Sequence, residues 1–141
     1  MSRLLIPVAL FFVSLVAVAR AEPAARSEPP RELVPSISDI MVEAHGCQTA
    51  YIKQVRNELA KDEPDWYLVE AKSRDLVRVG KLLALNNPPH GSRESWEKFT
   101  AVYTARATVL VDAAERKDKE EATVETTRML RMCATCHRAH R

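Results

Sequence analysis

Near its C-terminus the chain reads Cys133-Ala134-Thr135-Cys136-His137. On a helix, residues 133, 136 and 137 stand at i, i+3 and i+4, so two thiols and an imidazole share one face. That set suits covalent attachment of one haem per chain. The thiols of Cys133 and Cys136 would form thioether bonds to the two vinyl groups, and His137 would be the proximal iron ligand. Three other chemistries use the same residue types. A thioredoxin-like Cys-x-x-Cys opens a helix after a strand. A structural disulfide would close a small loop from Cys133 to Cys136. A zinc site would recruit Cys133, Cys136, His137 and a fourth ligand such as Cys47. The pair lies near the end of a chain with no strand pattern, and a His follows it directly. Both features favour haem.

The elements that must position this face read as helices. Apolar residues recur three and four apart from Ile37 onward. Ser36 or Ser38 caps a first helix carrying Ile37, Ile40, Met41, Ala44, Tyr51, Ile52, Val55 and Leu59, continuous to about Lys61. Asp62-Glu63-Pro64-Asp65 opens a second, with Trp66, Val69, Leu76, Val79 and Leu83, stopped by Asn86-Asn87-Pro88-Pro89. Ser92 caps a third, striped by Trp96, Phe99, Tyr103, Ala107, Leu110 and Ala114. Asp118 and Glu121 form a capping box for a fourth that runs nearly to the C-terminus. Amphipathic helices with short joints predict an all-α fold, an antiparallel four-helix bundle over residues 36–141. Three Gly in 141 residues agree, because sheet turns need positive φ.

Residues 1–21 read as a signal peptide: Arg3, an apolar run from Leu4 to Val18, then Ala19-Arg20-Ala21 as a small-x-small cleavage site. As a membrane anchor the fifteen-residue run would span roughly 22 Å of a ~30 Å hydrocarbon core. Residues 22–35 hold Pro23, Pro29, Pro30 and Pro35 and read as a Pro-rich linker. The expected product is exported, periplasmic or equivalent, with no stable membrane anchor. Removing Arg3 and Arg20 from 21 basic residues leaves 19, matching the 19 acidic ones. A net charge of zero is no footprint for nucleic acid.

The ending, C-x-x-C-H with a basic residue four positions after the His, resembles that of class II c-type cytochromes, the cytochrome c′ and cytochrome c556 family. The match is carried by Cys133, Cys136, His137 and Arg141. The resemblance covers about residues 36–141 and implies a cytochrome c′ or b562-like bundle with the haem near its C-terminus. His140 departs from it, since an aromatic residue is common there. In that family the first helix covers the distal face of the haem, with a Met in c556-like members and an apolar residue in c′-like ones. Met41 is therefore a candidate distal ligand. His45, at i+4 on a face expected to continue to Gln48 and Ile52, is the alternative. Ile37 or Ile40 would be the apolar cap of an open site. Arg141 is a candidate for contact with a haem propionate or the proximal ligand.

The leading expectation is one-electron transfer with a redox partner protein. A gas-binding protein, taking NO or CO at a vacant distal position, is the alternative, and a non-haem metal-binding module the third. No constellation of general acid, base or nucleophile marks an enzyme. Monomer and homodimer both remain open. Cys47 reads as a buried small hydrophobe, His90 as a loop residue, and Gly80 as a point of close approach for the haem or a neighbouring helix. Trp96, Phe99 and Tyr103 read as core, with one face available to a haem.

Overall fold

A computed structural model describes residues 34–141. The expected signal peptide, and the linker as far as residue 33, lie outside the described residues. The elements are α1 (Ile37–Met41), a π-helical turn (Val42–Gly46), α2 (Tyr51–Leu59), α3 (Trp66–Leu85), α4 (Arg93–Glu115) and α5 (Lys119–His140). Among the described residues there is no strand, and no helix is long and apolar enough to cross a membrane.

Four of these starts are fixed by side-chain caps. Ser36 accepts from Asp39 N, Asp65 from Leu68 N, Ser92 from Ser95 N and Asp118 from Glu121 N. Each satisfies an amide that the first helical turn leaves without a carbonyl. The α4–α5 corner turns in three residues because Lys117 adopts φ 56°. Its amide reaches Ala114 O, and Asp118 N reaches Ala113 O, a Schellman end. Asp118 thus closes one helix and caps the next.

The helices pack as antiparallel neighbours. Trp96 at the start of α4 donates its indole N–H to Leu83 O at the end of α3 (3.1 Å), while Arg74 early in α3 reaches Glu115 late in α4 (2.5 Å). The start of α4 likewise meets the end of α5 through Ser95 and His140 (3.1 Å). α2 leans on both α3 and α5. The apolar stripes converge on a core of fully buried Ile40, Ile52, Val55, Val69, Leu76, Val79, Leu110 and Met129. Gly80 is the tightest crossing. A Cβ there would lie 2.6 Å from Thr104 Oγ1 and 2.8 Å from Tyr103 Cδ1, so the neighbour that needs Gly80 is α4.

The first helix departs from expectation. It does not run to Lys61: α1 ends at Met41, a π turn follows, and Cys47 is extended (φ −114°, ψ 177°) before α2 begins. Gly46 is a poor helix residue. The Cys47 thiol meets Thr49 Oγ1 at 3.0 Å, and Gln54 donates to Thr49 O, so this local network replaces a helical turn. Gln48 consequently lies exposed in the connection rather than on a face with Met41 and His45. Cys47 is also exposed, not buried. The π turn is fastened from outside. The Tyr51 hydroxyl and the Arg78 guanidinium (2.8 Å) both donate to Glu43. Those donors, Tyr51 first, hold the Glu43 carboxyl below its ordinary range. Burial and that bond push Tyr51 up to about 12.

Two measurements test this frame. Gly80→Ala gains about 1 kcal/mol of helix propensity but overpacks a fixed ring and a bonded hydroxyl at about 1–3 kcal/mol. Net destabilisation is expected in denaturant unfolding. Glu58, nearly buried, accepts from Lys61 Nζ (2.6 Å) and Asp65 N (3.2 Å) and so ties α2 to the start of α3. The Lys61 bond, then the Asp65 amide, lower its pKa from 4.5. With the folded value below the unfolded one, its stabilisation is present above about pH 4.5 and fades as the pH falls through the lowered value. Melting temperatures from about pH 7 to about pH 3 should therefore fall less steeply in Glu58→Gln than in the parent chain.

Candidate functional site

A cavity of about 530 Å³ opens where α1 and the π turn face the ends of α3 and α5 and the start of α4. That size lies within the ~300–1,000 Å³ range of small-molecule sites. Cys133, Cys136 and His137 all line it, as do Met41, His45 and Arg141. The six candidate residues, drawn from the first and last helical segments, thus share one cavity. Ile37 is on its wall too, whereas Ile40 is fully buried in the core. Trp96, Phe99 and Tyr103 all form apolar walls; Trp96 and Tyr103 also belong to the core as expected, whereas Phe99 is only partly buried and lies outside it.

α5 runs unbroken through the motif, so the i, i+3, i+4 geometry holds. Both thiols are free and half-buried. Burial raises the pKa of each, and the neighbouring Cys133 adds to the rise at Cys136. Cys133 also donates to Met129 O at 3.5 Å, one turn back. The His137 imidazole is exposed at the cavity edge and has no hydrogen-bond partner among the described residues. Cys47 does not line the cavity. Among the described residues no three His, Cys, Asp or Glu side chains cluster to hold a bare metal ion.

On the opposite wall the π turn carries His45 inward. Its Nε2 lies 3.0 Å from the Tyr103 hydroxyl, with the two rings edge-on at 5.7 Å. Burial, and to a lesser degree the nearby His137, lowers its pKa to about 4, so the imidazole is neutral at ordinary pH. Burial raises the Tyr103 pKa, so the hydroxyl keeps its proton. The remaining His45 nitrogen, Nδ1, is shut off from solvent with no partner among the described residues. Such an orphan costs about 1–3 kcal/mol. Two thiols and an imidazole on one helical face, apolar walls, and a second imidazole with one nitrogen unspent are a donor set that a haem could use.

One residue that organises the site was read in the sequence only as a departure from a family pattern. His140 is buried against Trp96 and Phe99, edge-on at 5.3 and 5.6 Å. Its Nδ1 lies 2.8 Å from His90 O. A carbonyl only accepts, so Nδ1 carries the proton and Nε2 accepts from Ser95 Oγ. Gly91 makes room for this clamp. It sits at φ +79°, and a Cβ there would meet Ala139 O at 2.8 Å and His140 Nδ1 at 2.9 Å.

His140→Ala should cost about 2–4 kcal/mol in denaturant unfolding, from a lost buried ring and an orphaned His90 carbonyl. His140→Phe keeps the edge contacts and should cost about 1–2 kcal/mol. No family model, curated protein or solved structure matches this chain. The resemblance to class II c-type cytochromes is thus an expectation carried by the Cys133, Cys136, His137 and Arg141 motif of the sequence.

Proposed function

We propose that this chain is an exported c-type cytochrome that carries single electrons on one haem, held in a cytochrome c′-like four-helix bundle. The observation that carries the reading is the convergence of Cys133, Cys136 and His137 with His45 and Met41 on one largely apolar cavity. Cys133 and Cys136 would hold the haem by thioether bonds, and His137 would be its proximal ligand. The iron supplies a ferric/ferrous couple when bound. Trp96, Phe99 and Leu83 give the cavity apolar walls that would keep water from a bound haem. The His140 clamp fixes the helical turn that bears His137, so ligand motion on redox change is restrained. Arg141, on the cavity wall, is available to a propionate.

The orphaned Nδ1 favours His45 over Met41 as the distal partner. Tyr103 would then hold its other nitrogen, as outer-shell groups do for metal-bound histidines. Met41 remains the competing ligand, and the two differ in potential, Met ligation giving the higher one.

Protein matured with a haem-attachment system should retain haem in a denaturing gel, and a chain that loses it there overturns the reading. The ferrous spectrum is expected to be low-spin. His45→Ala should turn it high-spin while Met41→Ala leaves it low-spin; the reverse pattern makes Met41 the ligand. A high-spin parent spectrum that shifts on adding CO would instead mark a gas-binding protein.

A further inference from the structure

Beside the cavity, between α4 and α5, runs a second groove of about 460 Å³. Phe99 and Met132 line both, so these side chains form part of the wall between the groove and the candidate haem site. Four cations, Lys98, Arg106, Arg128 and Arg131, edge the groove, and no carboxylate lines it. Arg106 (3.1 Å) and Arg128 share one buried acid, Glu125, leaving one positive charge in excess. Arg131 has no carboxylate partner among the described residues, and Lys98 meets only the strongly exposed Glu94. The α3–α4 groove differs: there two acids, Asp112 and Glu115, stand among the three cations Arg74, Arg78 and Lys81, with Arg74 bound to Glu115 and Arg78 to Glu43.

Part of the bias is plain in the sequence. Residues 126–141 contain Arg128, Arg131, Arg138 and Arg141 and no acidic residue, although residues 22–141 are neutral overall. The floor of the groove is apolar, with Val102 44% exposed. Arginines around aromatic and Met side chains are the composition of protein interfaces. Guanidinium forks suit carboxylates in pairs.

We propose that this groove docks the acidic face of a one-electron redox protein, rim carboxylates pairing with Lys98 and Arg131 and an apolar contact covering Val102 and Phe99. This rests on the haem reading above. One electron passes between the partner's centre and the iron, one oxidised as the other is reduced, with no bond made or broken. Charge attraction would bring the partner to a face that shares Phe99 and Met132 with the candidate haem cavity, so orientation and proximity would be achieved together.

Isotope-labelled holoprotein titrated with a short poly-L-glutamate peptide tests the surface without a known partner. Amide shifts are expected at Lys98, Val102, Arg131 and Thr135, weakening as salt is raised. Lys98→Glu/Arg131→Glu, with an unchanged melting profile as control, should weaken binding about tenfold or more. In the same variant, oxidation of the ferrous protein by hexacyanoferrate(III) should slow, while oxidation by the cationic tris(phenanthroline)cobalt(III) should not. Shifts that centre on α3, or that survive the double substitution, overturn the proposal. So does binding to phosphatidylglycerol vesicles without peptide shifts in the groove, which would make the face a membrane contact. A chain that holds no covalent haem overturns the haem reading and the partner's redox role with it, while peptide titration of that chain still reads whether the groove takes an acidic face.

Discussion

The candidate chemistry sits in the last two turns of α5, where a helix end ordinarily frays. His140 counters this. Its ring spends both nitrogens, on His90 O and Ser95 Oγ, and its edges on Trp96 and Phe99. The helix terminus is thereby tied to the α3–α4 connection and to the first turn of α4. Cys133, Cys136 and His137 then face the cavity as part of an anchored rod. Other features follow from this one. Gly91 must be a glycine because the clamp occupies the space of its Cβ, and the cap at Ser92 starts α4 where Ser95 can reach His140.

The opposite wall solves a different problem. An α-helix continuing from Met41 to Leu59 would carry one stripe from end to end. The π turn and the extended Cys47 reset the phase, so Ala44 enters the core while His45 reaches Tyr103. Single π turns recur at functional sites because they redirect a side chain without ending the chain's course. Here the redirected side chain is a neutral imidazole with one nitrogen unspent. Glu43, Tyr51 and Arg78 hold that turn from the solvent side, and such exposed ion pairs are worth only about 0–1 kcal/mol each. The wall is therefore held chiefly by burial of Ile40 and Ala44.

Much of this was legible in the sequence, and the reason is local. Caps at Ser36, Ser92 and Asp118 act over three residues, and apolar stripes act over one turn, so both are written in neighbouring positions. Asp62-Glu63-Pro64-Asp65, by contrast, reads as a first turn although the helix begins only at Trp66, with Asp65 as its cap. The motif face was legible for the same reason. The break after Met41 was not, because apolar residues on both sides of Gly46 and Cys47 fit a continuous helical period. The competing bonds of Thr49 and Gln54 leave no mark in that pattern. The exposure of Cys47 follows from the same break. The role of His140 was hidden more deeply. Its partners His90, Gly91, Ser95 and Trp96 lie some fifty residues away, and only the antiparallel packing of α4 on α5 brings them together.

Charge is arranged along the fold in a way its net value conceals. A helix accumulates about half a negative charge at its C-terminus, and cations in its last turns are favoured by about 0.3–1 kcal/mol. Arg138, in the last turn of α5, gains from that field, and Arg131 stands two turns further back, largely beyond it. The field supports part of the basic bias at the motif end of the molecule. It does not account for Arg106 and Lys98, which project from α4 into the same groove, nor for the lack of acids there. Helix stability alone would have been served by cations on α5. Their convergence from two helices onto one groove, over a wall shared with the candidate haem cavity, is what a docking face requires and a lone helix does not.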